Sequence, residues 1–242
     1  MDIRVLKTKA DIAKACGEIF IEEINKKPDI VLGLATGATP LPTYEYLIDA
    51  YKNGRVSFKE VTSFNLDEYC DLARENENSY YSYMLNNFFN HVDMDKSRIN
   101  IPDGNAKDAE KECAAYDKMI EDMGGIDIQL LGIGTNGHIG FNEPSDEFTD
   151  ATFKVKLSDS TIKSNSIYFP DGDMPRYALT MGIGSIMKAK KIILIATGAA
   201  KIDAVDKMVN GEVSPACPAS ILQNHDDVII FLDEDAAAKI NK

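Results

Sequence analysis

The residues that build metal and redox centres are scarce in this sequence. Only three histidines occur, and the four cysteines, Cys16, Cys70, Cys113 and Cys217, share no CxxC spacing. Thiols so widely scattered point to reduced side chains rather than a disulfide framework or a zinc site, and no metal is expected. Long apolar runs are missing as well. The opening MDIRVLKTKADIAK holds no stretch fit for a signal peptide. Nothing approaches the ~20 apolar residues of a membrane span, so cytoplasmic residence is the expectation. Positive charge is in deficit: 26 Lys and Arg stand against 39 Asp and Glu, for a formal net charge of −13. Such a chain has no general attraction for nucleic acid or an anionic membrane. Any anionic ligand has to be held by local donors against the global field.

What is present suits one α/β body. The 242 residues, 44% apolar and 27% charged, are enough to bury a core, and the whole span 1–242 reads as a single domain without linkers. Strand-like runs at 29–35, 61–66, 126–133, 191–197 and 228–232 alternate with helical patterns at 11–26, 40–53, 79–89, 106–123 and 201–209. A short helix is expected after the last strand. Alternation of this kind predicts an open, mostly parallel, Rossmann-like sheet with helices on both faces. The tetrapeptide ATGA occurs twice, at 35–38 and 196–199, each time between a buried strand and a helix.

Ligands of open α/β sheets bind beyond the carboxyl ends of the strands, so the loops there are the candidates. Thr36-Gly37-Ala38-Thr39 feeds a helix N-terminus, where backbone N–H groups and hydroxyls make an anion site. Thr197-Gly198-Ala199-Ala200-Lys201 is similar but carries a lysine at the helix start. A cation there opposes the helix dipole, which points to an anionic ligand such as phosphate. At the end of the 61–66 strand stands Leu66-Asp67-Glu68. A carboxylate in that position can act as a general base. Adjacent residues point different ways, so Asp67 and Glu68 are not expected to act as a pair, and periodicity does not choose between them.

A fourth loop, LGIGTNGHIGFNEP (131–144), contains Gly132, Gly134 and Gly137 in a GxGxxG spacing. The dinucleotide fingerprint requires a helix straight after the turn. Gly140 and Pro144 interrupt any helix here, so the segment reads as an extended loop that lets backbone approach a ligand. It delivers Asn136, His138 and Glu143 together, a plausible acid–base unit in which the carboxylate orients the ring.

At these same residues the sequence resembles the glucosamine-6-phosphate deaminase family, also called the glucosamine/galactosamine-6-phosphate isomerase family. The similar stretches are LGLATGATP (32–40), FNLDEY (64–69), SYYSYM (79–84), LGIGTNGHIGFNEP (131–144), YALTMGIGSIMKAKKI (177–192) and PASILQNH (218–225). The resemblance implies conversion of glucosamine 6-phosphate to fructose 6-phosphate and ammonia, without a cofactor. The implied partner is a small phosphosugar rather than nucleic acid or membrane, and monomer and homo-oligomer both stay open. Asp67 would move a proton between C2 and C1. His138 would open the pyranose ring, supported by Asn136 and Glu143. Thr36, Gly37, Ala38, Thr39 and Lys201 would hold the phosphate. The alternatives are a 6-phosphogluconolactonase or a deglycase for another amino-linked sugar phosphate on the same fold, and, in a different class, a non-catalytic sugar-phosphate sensor.

Three departures from the family pattern stand out. Many relatives carry Asp where this chain has Asn136. Relatives typically carry a phosphate-binding Arg where this chain has Ile167, which cannot donate a hydrogen bond; Lys163, four residues earlier, is the nearest candidate substitute. The basic residues that bind N-acetylglucosamine 6-phosphate in allosteric relatives fall on Phe153 and Val155. The chain also stops at Lys242, short of the longer tail of those relatives. Hyperbolic kinetics without an activator is the expectation.

Overall fold

Strands buried on both faces need helices on both sides. The computed structural model, which describes residues 1–170 and 172–240, has that layering. In chain order the elements are β1 (Asp2–Leu6), α1 (Lys9–Lys26), β2 (Val31–Leu34), α2 (Leu41–Lys52), β3 (Thr62–Asn65), β4 (Asp67–Tyr69), α3 (Tyr80–Asn87), β5 (Ile99–Asn100), α4 (Ala109–Asp122), β6 (Ile128–Leu131), β7 (Phe153–Lys156), α5 (Asp159–Asn165), β8 (Tyr177–Thr180), α6 (Ile183–Met187), β9 (Lys191–Ala196), α7 (Ile202–Asn210) and β10 (Val228–Asp233). Side-chain oxygens cap four of the α-helices: Thr8 accepts from the N–H of Asp11, Ser79 from Ser82, Asp108 from Lys111 and Ser158 from Thr161.

The main sheet has seven strands in the order β1-β10-β9-β6-β2-β3-β5, and every pairing in it is parallel. The pleat sends alternate residues of each strand to opposite faces. Ile193 and Ile195 of β9 join Phe20 of α1 and Tyr44 of α2 in one core. Ile192 and Leu194 join Tyr116 of α4, Ile186 of α6 and Val205 of α7 in the other. A strand buried both ways reads as an unbroken apolar run, which is why β9 was visible in the sequence. All four cysteines are buried and free. Among the described residues, no helix is long and apolar enough to cross a membrane.

Several features differ from the sequence expectation: the edge strands β1 and β5 and the short helices α5 and α6 were not read from the sequence, and two further differences bear on the site. A second sheet, three-stranded and antiparallel in the order β4-β8-β7, packs beside the main one. Its strands are three or four residues long and half polar, too short for a period-two pattern to register. Leu66 joins the two sheets: its N–H donates to Leu34 O at 3.1 Å, and its carbonyl accepts from Met181 N at 2.8 Å. The chain thus leaves the main sheet at Asn65 and enters the small one at Asp67. Among the described residues after β10, through 240, the expected helix is also absent. Isolated turns replace it, because the Asp233 carboxylate divides between Ala236 N and Gly198 N and ties the segment to the β9–α7 loop.

Candidate active site

The loops after β2, β3, β6 and β9 converge beyond the carboxyl edge of the main sheet, where such folds bind ligands. They enclose a cleft of about 320 Å³ whose lining includes Thr36, Gly37, Thr39, Asp67, His138 and Lys201. Six of the nine residues singled out from sequence therefore face one space. Asn136 and Glu143 stand behind His138, outside the lining. Ala38 is the exception among the phosphate-loop residues. Gly37 takes φ of +97°, and beyond it Ala38 faces a separate cavity of about 210 Å³.

The β2–α2 loop is braced by Tyr83, whose hydroxyl donates to Gly37 O at 2.6 Å. The second ATGA loop repeats the left-handed glycine, Gly198 at φ +88°, but its N–H is already taken by Asp233 at 2.8 Å. Its contribution to the cleft is Lys201. Burial lowers the proton affinity of that ammonium, which donates to Ile133 O at 2.7 Å. Among the described lining residues Lys201 is the only cation. Lys163 is exposed and Ile167 is 73% exposed, and neither lines the cleft, so Lys163 does not take the place of the missing arginine.

The junction of the two sheets separates Asp67 from Glu68. The Glu68 carboxylate turns to the N-terminus of α3, where it accepts from Tyr69 N at 2.8 Å, Tyr80 N at 3.0 Å and Tyr81 N at 2.9 Å. Burial raises its proton affinity, and those three N–H groups oppose the rise. Asp67 turns into the cleft. Burial, and then the charge of Glu68, push its carboxyl up to about 8. A Cβ at position 140 would lie 3.6 Å from Asp67 Oδ2 and 3.0 Å from Thr180 Oγ1, so glycine leaves the base uncrowded.

No helix follows Gly137, so the GxGxxG spacing is not a dinucleotide turn. The loop closes on itself through Gly134 N to His138 O at 2.8 Å, and a Cβ on Gly134 would come within 2.3 Å of the imidazole. Ala219 N donates to Gly137 O at 2.9 Å and Phe141 N to Thr180 Oγ1 at 3.1 Å, which gives the 218–225 and 177–192 stretches their role as supports. Behind the ring, Glu143 Oε1 lies 3.5 Å from His138 Nδ1, and Asn136 Nδ2 donates to Glu143 Oε2 at 2.7 Å. Burial alone would raise the Glu143 carboxyl. The imidazole, the Thr161 hydroxyl and the Asn136 amide outweigh it and bring the group down to about 2.

Sequence reasoning missed three lining residues, Tyr80, Thr161 and Asn165. Tyr80 lies inside the SYYSYM stretch that carried the resemblance. Thr161 and Asn165 sit on α5, a seven-residue polar helix with no periodic apolar signal, and only the fold brings it over the cleft.

A family model described as glucosamine-6-phosphate isomerases/6-phosphogluconolactonase matches residues 7–231. The chain belongs to that family. Among its relatives, a glucosamine-6-phosphate deaminase of Clostridium botulinum (strain Loch Maree / Type A3) is 50% identical over 242 residues, covering 100% of this chain and 99% of the relative. One from Clostridium novyi (strain NT) is 50% identical over 241 residues, covering 99% and 100%. The solved structure of a monomeric glucosamine-6-phosphate deaminase superposes with a TM-score of 0.95 at 44% identity, over 98% of this chain and 99% of the other. The 6-phosphogluconolactonase of Trypanosoma brucei has the same fold, with a TM-score of 0.78 at 21% identity over 99% and 98%.

Proposed function

We propose that this family member isomerises and hydrolytically deaminates glucosamine 6-phosphate, releasing fructose 6-phosphate and ammonia. The observation that carries the reading is the buried Asp67 carboxylate, open to the same cleft as the His138 imidazole and the Thr36–Thr39 loop. The full-length relatives named as deaminases of that sugar phosphate support it. Thr36, Gly37, Thr39 and Lys201 hold the phosphate, with Ala38 contributing backbone only. His138 moves a proton from the C1 hydroxyl to the ring oxygen, which opens the pyranose to the aldehyde. Asp67 then takes the C2 proton, acidified by that aldehyde, and leaves an enolamine. Reprotonation at C1 gives the C2 imine, and water hydrolyses it to the ketone and ammonia. A carboxyl whose proton affinity lies near the working pH suits a group that both takes and returns a proton. The chemistry needs no cofactor. Residence in the cytoplasm belongs to the same proposal, since phosphorylated sugars are confined there by their charge.

The test is a panel of amino-sugar phosphates and 6-phosphogluconolactone, followed for ammonia, fructose 6-phosphate and lactone opening. Glucosamine 6-phosphate should show the highest kcat/KM and give both products in equal amounts. Rapid lactone hydrolysis with no ammonia from any amino sugar would move the chain to the lactonase branch.

A further inference from the structure

The tetrapeptide ATGA stands at the ends of both β2 and β9, and the two copies are used differently. Both turn on a left-handed glycine, Gly37 at φ +97° and Gly198 at φ +88°. The first copy faces the cleft, which Thr36, Gly37 and Thr39 line. In the second, the chain itself supplies the anion. Gly198 N donates to both carboxylate oxygens of Asp233, at 2.8 Å to Oδ2 and 3.0 Å to Oδ1. Asp233 ends β10, where Leu232 stands opposite Ala196 of β9, so the sheet register delivers the carboxylate to this loop. Its Oδ1 also accepts from Ala236 N at 2.8 Å, and its carbonyl accepts from Ala237 N at 3.0 Å. The acid is thus held from behind by its own turn. Hydrogen bonds to a charged acceptor are stronger than those to a neutral one.

One turn beyond Gly198 comes Lys201. Lys201 N donates to Gly198 O at 3.0 Å, so the Gly198 peptide sets where that turn begins. Of residues 197–201, Lys201 alone lines the cleft, and its ammonium reaches Ile133 O at 2.7 Å. A glycine loses more conformational freedom on ordering than any other residue. An anchored Gly198 N–H removes that freedom before a ligand arrives. The carboxylate also places negative charge at the start of the helical segment 199–210, where it complements the dipole that Lys201 opposes. We infer that Asp233 is a positioning residue for phosphate binding: by fixing Gly198 it presents Lys201 to the cleft. Asp233 lies outside the cleft lining, so it acts through the loop and not on the ligand. No proton moves and no covalent bond changes. The inference rests on the phosphate role proposed for Lys201.

The experiment titrates inorganic phosphate into the full chain by calorimetry, for the parent, Asp233→Ala, Lys201→Ala and the double variant. Lys201→Ala should weaken phosphate binding. Asp233→Ala should weaken it about 2- to 10-fold, the equivalent of one ordinary hydrogen bond. In the Lys201→Ala background the same change at 233 should weaken it no further, as for two residues that act in series. Kinetics should agree: Asp233→Ala raises KM for glucosamine 6-phosphate by the same factor and leaves kcat in place. Asp233→Asn, which keeps one acceptor oxygen, should fall between the parent and the alanine variant, and it takes the place of Asp233→Ala in the cycle if alanine compromises folding. Losses that add in the double variant, or a fall in kcat at constant KM, would overturn the positioning role. So would full phosphate affinity in Asp233→Ala while Lys201→Ala is impaired. Full affinity in Lys201→Ala would instead remove the phosphate role of that lysine, and the inference with it.

Discussion

A buried carboxyl beside a second carboxylate keeps its proton longer than one in water, and Asp67 is such a group. Because it acts as a base only when ionised, kcat/KM should climb with pH and level off above about 8, the value to which Asp67 is raised. A rate–pH profile of the free enzyme checks this. Asp67→Asn should lower turnover by ~100-fold or more, the worth of a positioned base, with substrate affinity retained. Near-normal ammonia release in that variant would remove Asp67 from the mechanism. The same substitution should stabilise the fold. A carboxyl whose proton affinity is higher folded than unfolded favours the folded state at low pH and penalises it as pH rises from the unfolded value of 3.8 toward about 8. The asparagine variant carries no such penalty, so urea unfolding at pH 7 should show a gain on the order of a few kcal/mol that fades below pH 4. Glu143 runs the other way. Its depressed carboxyl stabilises the fold above its ordinary value of 4.5, and that contribution is lost as pH falls toward about 2.

At the scale of elements, α5 and the turn behind it are where this chain lacks the arginine that the family resemblance would place near the phosphate. Asn165 lines the cleft, and Ile167, two residues on, is 73% exposed. Replacing Ile167 therefore sacrifices little packing. Ile167→Arg should lower KM for glucosamine 6-phosphate by roughly 10- to 100-fold, the worth of a charge-assisted hydrogen bond, and leave kcat largely intact. A KM that is unchanged or higher, with another sugar phosphate turned over faster by the parent, would mean a pocket remodelled for that ligand. This stretch also marks where sequence reasoning stops. The main sheet was legible because β2, β6, β9 and β10 are apolar on both faces. The cleft loops were legible because glycine and capping residues follow those strands. The small sheet, the place of Thr161 and the outward turn of Ala38 were not. They depend on hydrogen bonds between segments distant in the chain, such as Thr161 to Glu143, for which local pattern carries no signal.

The whole molecule carries a net charge of −13, so the proposed anionic substrate would have to be held by short-range donors such as Lys201 and the loop Thr36–Thr39. Regulation by a second sugar phosphate would need cations, and the positions where the family resemblance would put them are Phe153 and Val155. Phe153 and Val155 are half-buried on β7, and the ammonium of the intervening Lys154 lies 5.0 Å over the Tyr177 ring. Initial rates should accordingly be hyperbolic in glucosamine 6-phosphate and indifferent to N-acetylglucosamine 6-phosphate. A sigmoidal curve that the acetylated sugar straightens would refute this. The order of the main sheet has a consequence for how the molecule is made. β1 lies at its edge and pairs with β10, Asp2 opposite Ile229 through Leu6 opposite Asp233. During synthesis β1 thus waits for β10, roughly 10–45 s at translation rates of ~5–20 residues per second. Until then a nascent chain can assemble the central strands and the loops of the cleft, but it carries β1 unpaired beside an open sheet edge. That is the interval in which a chaperone or a neighbouring nascent chain has something to grasp.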